Sequence, residues 1–385
     1  MERKYDIILF GATGFTGQLV AAEIMKHLQE EKVRLCLAGR DMKKLEAIRQ
    51  QIGATPEEVG LLTAAVDDPV ALEAMAQQGR VIISTVGPYN WYGAPLIEAC
   101  LKAGTHYVDI TGEPAFIHDT FNKAHERALE KGICMVNCCG FDSIPADLGT
   151  WLTVRALPSE LPTKVEAFVR TNATFSGGTW TTAIHALSQR SEGKKAVKSY
   201  PRHPKTPRVP LKIHYNKTLK RWAIPMPVAD PHIVKRSARH MPEDYGEAFG
   251  YGQFFTVGSL FKVFQVVLPI VMVMLLVRFE GVKKWLFAKH PPGTGPSEQQ
   301  RANSKFEVIC LGEAGDQRVE TIISGGDPGY TETAKMLSQS AFVLLEKVRS
   351  GGLNPGVRTP AEALGMNLVD RLKRQGIRIE TRLIP

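Results

Sequence analysis

The stretch YDIILFGATGFTG, Tyr5 to Gly17, is a short apolar strand that runs without a gap into three evenly spaced glycines. A helical pattern follows to about Glu30, with Leu19, Val20, Ile24 and Leu28 on one side, and Val33–Ala38 (VRLCLA) reads as the next strand. Strand, glycine turn, helix, strand is the opening of a dinucleotide-binding unit. Gly11 permits the tight turn, Gly14 lets backbone approach a pyrophosphate, and Gly17 lets the helix pack close to the strand. Thr13, Phe15 and Thr16 complete the turn. The unpaired N–H groups at the helix start would take the phosphates. The spacing is G-x-x-G-x-x-G rather than G-x-G-x-x-G, and a tight turn without a ligand is the plain alternative.

The end of the second strand chooses between cofactors. An NAD site places a carboxylate there for the ribose 2′-OH. Here Gly39 and Arg40 occupy the strand end, with Lys43 and Lys44 on the following turn. A guanidinium pairs with a 2′-phosphate, so NADP(H) is the expected cofactor. An ordinary basic first turn is the alternative. Val86, Gly87 and Pro88, after the fourth strand, are further expected cofactor contacts.

Working outward, Gly60–Ala65, Arg80–Val86, His106–Ile110 and Ile133–Cys138 read as strands, alternating with helices over 69–77, 95–102 and 116–131. That rhythm predicts an α/β fold with a Rossmann-type doubly wound parallel sheet, its ligands beyond the C-terminal strand ends. Gly87, Tyr89, Tyr92, Thr111, Gly112, Glu113 and Asp142 fall at such ends, with residues 89–93 read as an aromatic loop. Asp67 and Asp68 are either adenine neighbours or solvated loop acids. Pro158 and Pro162 mark a domain change, and Lys164–Thr174 alternates like a half-exposed strand of another sheet. Lys305–Leu311 and Arg318–Ser324 form a hairpin around Gly315-Asp316. Helices are expected over 329–348 and 359–375. The expected organisation is a dinucleotide-binding domain (1–158), a mixed-sheet α+β substrate domain (159–350) with an irregular basic and hydrophobic insertion (190–300), and a C-terminal helix (351–385) returning to the first domain.

The 385 residues carry a formal charge of +9, and the excess is local. From Arg190 to His240 fourteen Lys or Arg face only Glu192 and Asp230. Such a field favours anionic partners. The prolines there leave no regular element for a groove or stacking platform, which argues against nucleic acid. The six cysteines sit in apolar patterns, so reduced core thiols are expected. No cysteine or histidine spacing suits a metal, and the N-terminus enters a strand with no room for a signal peptide.

Five further stretches carry a resemblance: LAGR (Leu37–Arg40), STVGPY (Ser84–Tyr89), HYVDITGE (His106–Glu113), GFDSIPADL (Gly140–Leu148) and NPGVRTPAEALG (Asn354–Gly365). With GATGFTG and the SGGT near Ser176, they resemble the saccharopine dehydrogenase-like oxidoreductases, and within them the trans-acting enoyl reductase branch of lipid-producing bacteria. The resemblance implies a Rossmann domain with an inserted mixed-sheet domain. It also implies reduction in lipid or glycolipid metabolism, or a membrane- or lipid-droplet-associated role. Saccharopine-type amino-acid chemistry would need clustered arginines in a polar pocket, whereas this insertion carries a greasy helix.

Hydride transfer needs an electrophilic carbon against the nicotinamide and a proton donor opposite. No tyrosine has a lysine four residues on, which disfavours the short-chain dehydrogenase arrangement. Tyr92 is the leading polar candidate, with a plain aromatic role as its alternative. Asp142 and Ser143 either orient substrate or cap the helix beginning near Pro145. His185 is either an acid or a histidine bonded to backbone, and Phe175 and Trp180 would suit an apolar wall. Two functions compete: an NADP-dependent reductase of a lipidic enoyl or carbonyl substrate, and a membrane scaffold or sensor that retains a nucleotide site.

Val266–Val277 (VVLPIVMVMLLV) is twelve residues without a polar side chain, about 18 Å as a helix and short of a hydrocarbon core of about 30 Å. Extending it over 254–279 supplies length but admits Lys262, Gln265 and Pro269. Lys262 before it and Arg278, Lys283, Lys284 and Trp285 after it favour an interfacial anchor on anionic lipid, on the cytoplasmic side of a membrane. Burial in the core or in a homodimer interface is the alternative.

Overall fold

A computed structural model describes residues 3–173, 203–226, 228–276 and 295–385. Two compact units divide the chain: Met1–Ile144 with Tyr330–Gly376, and Pro145–Gly329 with Ile377–Pro385.

The first unit is a parallel sheet wound by helices. Its elements are β1 (Tyr5–Phe10), α1 (Phe15–Glu31), β2 (Leu35–Gly39), α2 (Met42–Gln51), β3 (Val59–Thr63), α3 (Pro69–Ala76), β4 (Gly79–Ser84), α4 (Tyr89–Ala103), β5 (His106–Asp109), α5 (Pro114–Glu130) and β6 (Cys134–Val136). The second unit contains α6 (Ile144–Arg155, entered at the boundary), β7 (Thr163–Thr171), β8 (His214–Asn216), β9 (Arg221–Pro225), α7 (Asp230–His240) and α8 (Pro242–Tyr245). It continues with β10 (Phe249–Val257), α9 (Leu260–Leu276), α10 (Glu298–Ala302), β11 (Phe306–Ala314) and β12 (Gln317–Gly325). The chain then returns to the first unit for α11 (Thr331–Ser350), β13 (Gly356–Arg358) and α12 (Pro360–Arg374), and ends in the second as β14 (Arg378–Ile384).

The first sheet runs β13-β6-β5-β4-β1-β2-β3, with every pair parallel. Without β13 this is the doubly wound order, whose reversal point lies between β1 and β4. All six β1 residues are buried, as a strand covered on both faces requires. Local chemistry sets the helix starts. Asp41 caps α2 by accepting from the Lys44 N–H, and Asp68 caps α3 beside Pro69. The capping box of Thr359 and Glu362 opens α12.

The second sheet runs β14-β12-β11-β7-β10-β9-β8, parallel only between β7 and β10. Phe168, Ala223 and Phe254 form a core cluster on one face, covered by Val209, Leu219, Ile309 and Leu311.

Four expectations are corrected. Residues 190–300 are not irregular where described: they supply β8, β9, β10 and α7 to α9, because the described prolines fall between strands, at the end of β9 or on helices, and leave the strand interiors free of them. The hydrophobic run 254–279 is not one segment, since Phe254–Val257 pairs with β7 and β9 inside the sheet and helix begins only at Leu260. The units divide at Ile144 rather than 158, and α11 belongs with the first unit because its apolar side packs on α1 and β4 there. Residues 89–93 are not a loop but the first turn of α4.

Candidate functional site

Gly11 leaves β1 with a φ of 91°, a conformation that disfavours any side chain, and its N–H bonds the Ala38 carbonyl at 2.9 Å. A Cβ at Gly11 would stand 2.7 Å from Thr85 Oγ1 and from Val86 Cγ2, so the turn after β1 and the loop after β4 touch here. A Cβ at Gly17 would stand 2.1 Å from the Gly11 carbonyl oxygen. Gly14 is the N-cap of α1 and no side chain caps that helix. Its first-turn N–H groups point past β1 with their partial positive charge uncompensated by a cap, which fits a pyrophosphate. Thr13 and Thr16 are half-buried in this turn, and Phe15 stands edge-on to Tyr330 with centroids 4.7 Å apart.

One strand over, Arg40, Lys43 and Lys44 are exposed. Asp41, which the reading of this strand end passes over, is a carboxylate beside Arg40. Its Oδ1 accepts from the Lys44 N–H at 3.1 Å, so it serves the helix start. The parallel order β4-β1-β2 thus gathers Gly11, Thr13, Gly14, Phe15, Thr16, Gly17, Arg40, Lys43, Val86, Gly87 and Pro88 at neighbouring strand ends. These residues fit an NADP molecule: a glycine cradle that a Cβ would fill, an uncapped helix start, and a guanidinium at the ribose end.

On the other side of β4, two buried carboxylates organise the loops. Asp109, fully buried at the end of β5, accepts from the N–H groups of Thr111 (3.0 Å) and Cys138 (2.9 Å), from Tyr107 Oη (3.0 Å) and from Asn137 Nδ2 (2.7 Å). Burial pushes its carboxyl up to about 6 against the pull of those four bonds. Glu113 reaches back to accept from the N–H groups of Tyr89 (2.7 Å) and Asn90 (3.0 Å), so it caps α4, whose own N-cap is Pro88. The Tyr89 hydroxyl donates to the Ser84 carbonyl at 2.9 Å and its ring lies on Phe116. Nearby, His106 Nδ1 accepts from the Cys134 N–H at 3.0 Å, and burial with the Arg3 charge lowers its pKa to about 4. Sequence reasoning assigned no role to Asp109, and it placed Glu113 at a strand end without one. The available signal was a pair of acids in the otherwise apolar HYVDITGE, since a carboxylate inside a buried strand must be bonded.

Tyr92 lies on the first turn of α4, 39% exposed, in edge contact with Trp91. Asp142 is exposed and has no hydrogen bond or ion pair among the described residues. Its Oδ2 lies 3.1 Å from where a Gly112 Cβ would be, so the loops after β5 and β6 meet there. Desolvation by the surrounding protein pushes its carboxyl above the usual carboxylate range. Ser143 is fully buried just before α6. No bond joins Tyr92 to Asp142 or Ser143 among the described residues. His185, Phe175 and Trp180 lie outside the described residues. All six cysteines are buried free thiols, and no metal-holding group of side chains occurs among the described residues.

Residues 7–136 match the family model of the saccharopine dehydrogenase NADP binding domain. The chain is similar to the saccharopine dehydrogenase-like oxidoreductase of Bos taurus, 31% identical across 98% of this chain and 97% of that one. It is also 32% identical to a protein of Mycobacterium tuberculosis named as a trans-acting enoyl reductase, covering 98% of each. Among solved structures, apo saccharopine dehydrogenase (L-Glu forming) of Saccharomyces cerevisiae shares the fold, with a TM-score of 0.60 at 14% identity over 99% of this chain and 100% of that one. Matched end to end by such relatives, and over its dinucleotide-binding region by the family model, the chain belongs to the saccharopine dehydrogenase-like oxidoreductases and is an enzyme that uses NADP(H).

Proposed function

We propose that the chain reduces an enoyl or carbonyl group of a lipidic substrate presented at a membrane surface. The observation that carries this reading is α9. Nine of its large apolar side chains are exposed, Phe261 at 70%, Phe264 at 63% and Leu268 at 62% among them, while Val263 is the one buried side chain of the helix among the described residues. An apolar helix left uncovered in this way marks a contact with lipid or protein. At seventeen residues it is about 25 Å long, and no described helix is long and apolar enough to cross a membrane. The expected flanking residues Arg278, Lys283, Lys284 and Trp285 lie outside the described residues. The printed name of the mycobacterial relative supports an enoyl substrate.

In this reading the glycine turn and α1 hold the pyrophosphate, Arg40 and Lys43 the 2′-phosphate, and Val86–Pro88 border the nicotinamide. When bound, NADPH supplies a hydride to an electron-poor carbon. Glu113 and Asp109 keep the loops after β4, β5 and β6 in place, which orients what lies beyond them. Tyr92 and Asp142 are polar groups that remain accessible there, alongside Asn90. Tyr92 carries a hydroxyl able to donate a proton, and Asp142 a carboxyl able to accept from a substrate donor or an ordered water.

The test is NADPH oxidation by the full chain with long-chain 2-enoyl thioesters and aldehydes in micelles, with saccharopine as the control. Turnover on the long-chain substrates, reduced in Tyr92→Phe or Asp142→Asn, is expected. Normal NADPH binding without turnover on any of them would instead support a surface-bound scaffold that retains the nucleotide site.

A further inference from the structure

The surface around α9 also carries a charge pattern, and an inference from it rests on the membrane reading above. Between His203 and Met226 the chain has Lys205, Arg208, Lys212, Lys217, Lys220 and Arg221 and no carboxylate. None of these six cations has an ion pair among the described residues, while His203 lies 3.8 Å from Glu247 and Arg221 borders a cavity also lined by Glu307 and Arg170.

These cations sit on fixed structure. Segment 205–212 crosses one face of β10 over two glycines. A Cβ on Gly250 would stand 2.3 Å from the Pro207 carbonyl oxygen, and one on Gly252 would stand 2.4 Å from Val209 Cγ1. Val209 and Leu219 then close over the Phe168–Ala223–Phe254 cluster. The turn between β8 and β9 is tied by Asn216 Oδ1, which accepts from the Leu219 N–H at 2.9 Å. Order of this kind is what a loose polybasic loop lacks.

The basic edge and the apolar helix are continuous. Tyr215, 48% exposed, stands edge-on to its cross-strand partner Trp222 at 5.7 Å. Trp222 packs, together with Val266 and Val267 of α9, on the cluster of Ile224, Val257 and Val263. Exposed Leu211 and Ile213 lie among the cations. Cations bordering an apolar helix, with a tyrosine and a tryptophan between them, match the layers of an anionic bilayer: phosphate outside, headgroup–acyl boundary, chains within. A nucleic acid would satisfy the cations and leave α9 in water.

We infer that segment 203–221 is an anionic-headgroup border to the α9 anchor, so that this chain docks selectively on negatively charged phospholipid bilayers. Each cation held near such a surface contributes about fivefold to affinity, and the contribution falls with added salt.

The test is sedimentation of the full NADPH-loaded chain with vesicles of phosphatidylcholine alone and of phosphatidylcholine with phosphatidylglycerol. Native protein should bind the anionic vesicles at least on the order of a hundredfold more tightly, with the difference abolished by high salt. Arg208→Glu, Lys212→Glu and Lys217→Glu together should remove that difference while retaining the weaker binding to phosphatidylcholine, the NADPH affinity and the native Tm. Val271→Asp, Leu275→Asp and Leu276→Asp together should abolish binding to both. Equal native binding to both vesicles overturns the headgroup inference and leaves the α9 reading standing. No native binding to either overturns the surface reading itself, and displacement from anionic vesicles by an equal charge of single-stranded oligonucleotide assigns the edge to nucleic acid.

Discussion

The loops beyond β4, β5 and β6 and the exposed side of α9 are opposites in how their residues are accounted for. In the first, Asp109 takes four donors and Glu113 caps the start of a helix more than twenty residues earlier in the sequence. In the second, large apolar side chains stand exposed among the described residues. The first region is explained by partners inside the fold, and changes there should cost stability or cofactor affinity. The second is explained by something outside the fold, and changes there should be nearly silent until that partner is supplied.

The comparison breaks most sharply at Gly17. Any Cβ there collides with the Gly11 carbonyl rather than with a movable side chain, so Gly17→Val should cost about 3 kcal/mol or more in urea unfolding and abolish NADPH binding. A mild effect would mean that α1 is free to move off β1.

His106 sharpens it through pH. Its folded pKa of about 4 lies below the unfolded value of 6.5, so its contribution is present above that value and is lost as pH falls towards 4. Asp109 works in the opposite sense, because its folded pKa of about 6 lies above the ordinary 3.8 and its ionisation costs stability as pH rises through that window. The two offset each other in the native protein. His106→Gln should expose the Asp109 limb alone: the stability deficit of the variant should shrink by about 3 kcal/mol between about pH 7 and about pH 4. A deficit independent of pH would show that His106 is not buried neutral.

Glu113→Ala should cost about 2–3 kcal/mol, the scale of hydrogen bonds to a charged group, and should raise hydrogen exchange at the start of α4. Exchange unchanged at Tyr89 and Asn90 would remove its capping role. Arg40→Ala should weaken NADPH binding by about 1.5–3 kcal/mol and leave NADH nearly unchanged, measured by calorimetry. Equal losses for the two would mean that Arg40 does not read the 2′-phosphate. Smallest of all, Leu268→Ser on α9 should shift unfolding by no more than about 0.5 kcal/mol, against the several expected for a buried leucine. A large loss would show α9 covered within the chain or by a second copy.

Much of the first unit was legible because its signals are local. A parallel strand buried on both faces is a short apolar run, and YDIILF needs no distant partner to be recognised. The glycines of residues 11–17 announce a turn by their own conformational freedom. The position of Arg40 directly after β2 could be read for the same reason, since the strand that precedes it is a short apolar run. The Asp41 cap was equally local and was overlooked.

What tertiary structure decided are the pairings between distant residues. The prolines and charges of 203–226 read as loop, yet β8 and β9 form because β10 offers an open edge and the Phe168–Phe254 cluster buries Ala223. A basic, proline-rich composition conceals a strand whenever packing against distant residues, rather than local propensity, stabilises it. The return of α11 to the first unit and the bond from Glu113 to the start of α4 depend on chain folding over long separations. No periodicity encodes these contacts, because each is fixed only when two surfaces meet. The exposure of α9 belongs to the same class: the sequence determined that the helix is apolar, and only the packed structure decided that the described residues leave most of its large side chains exposed.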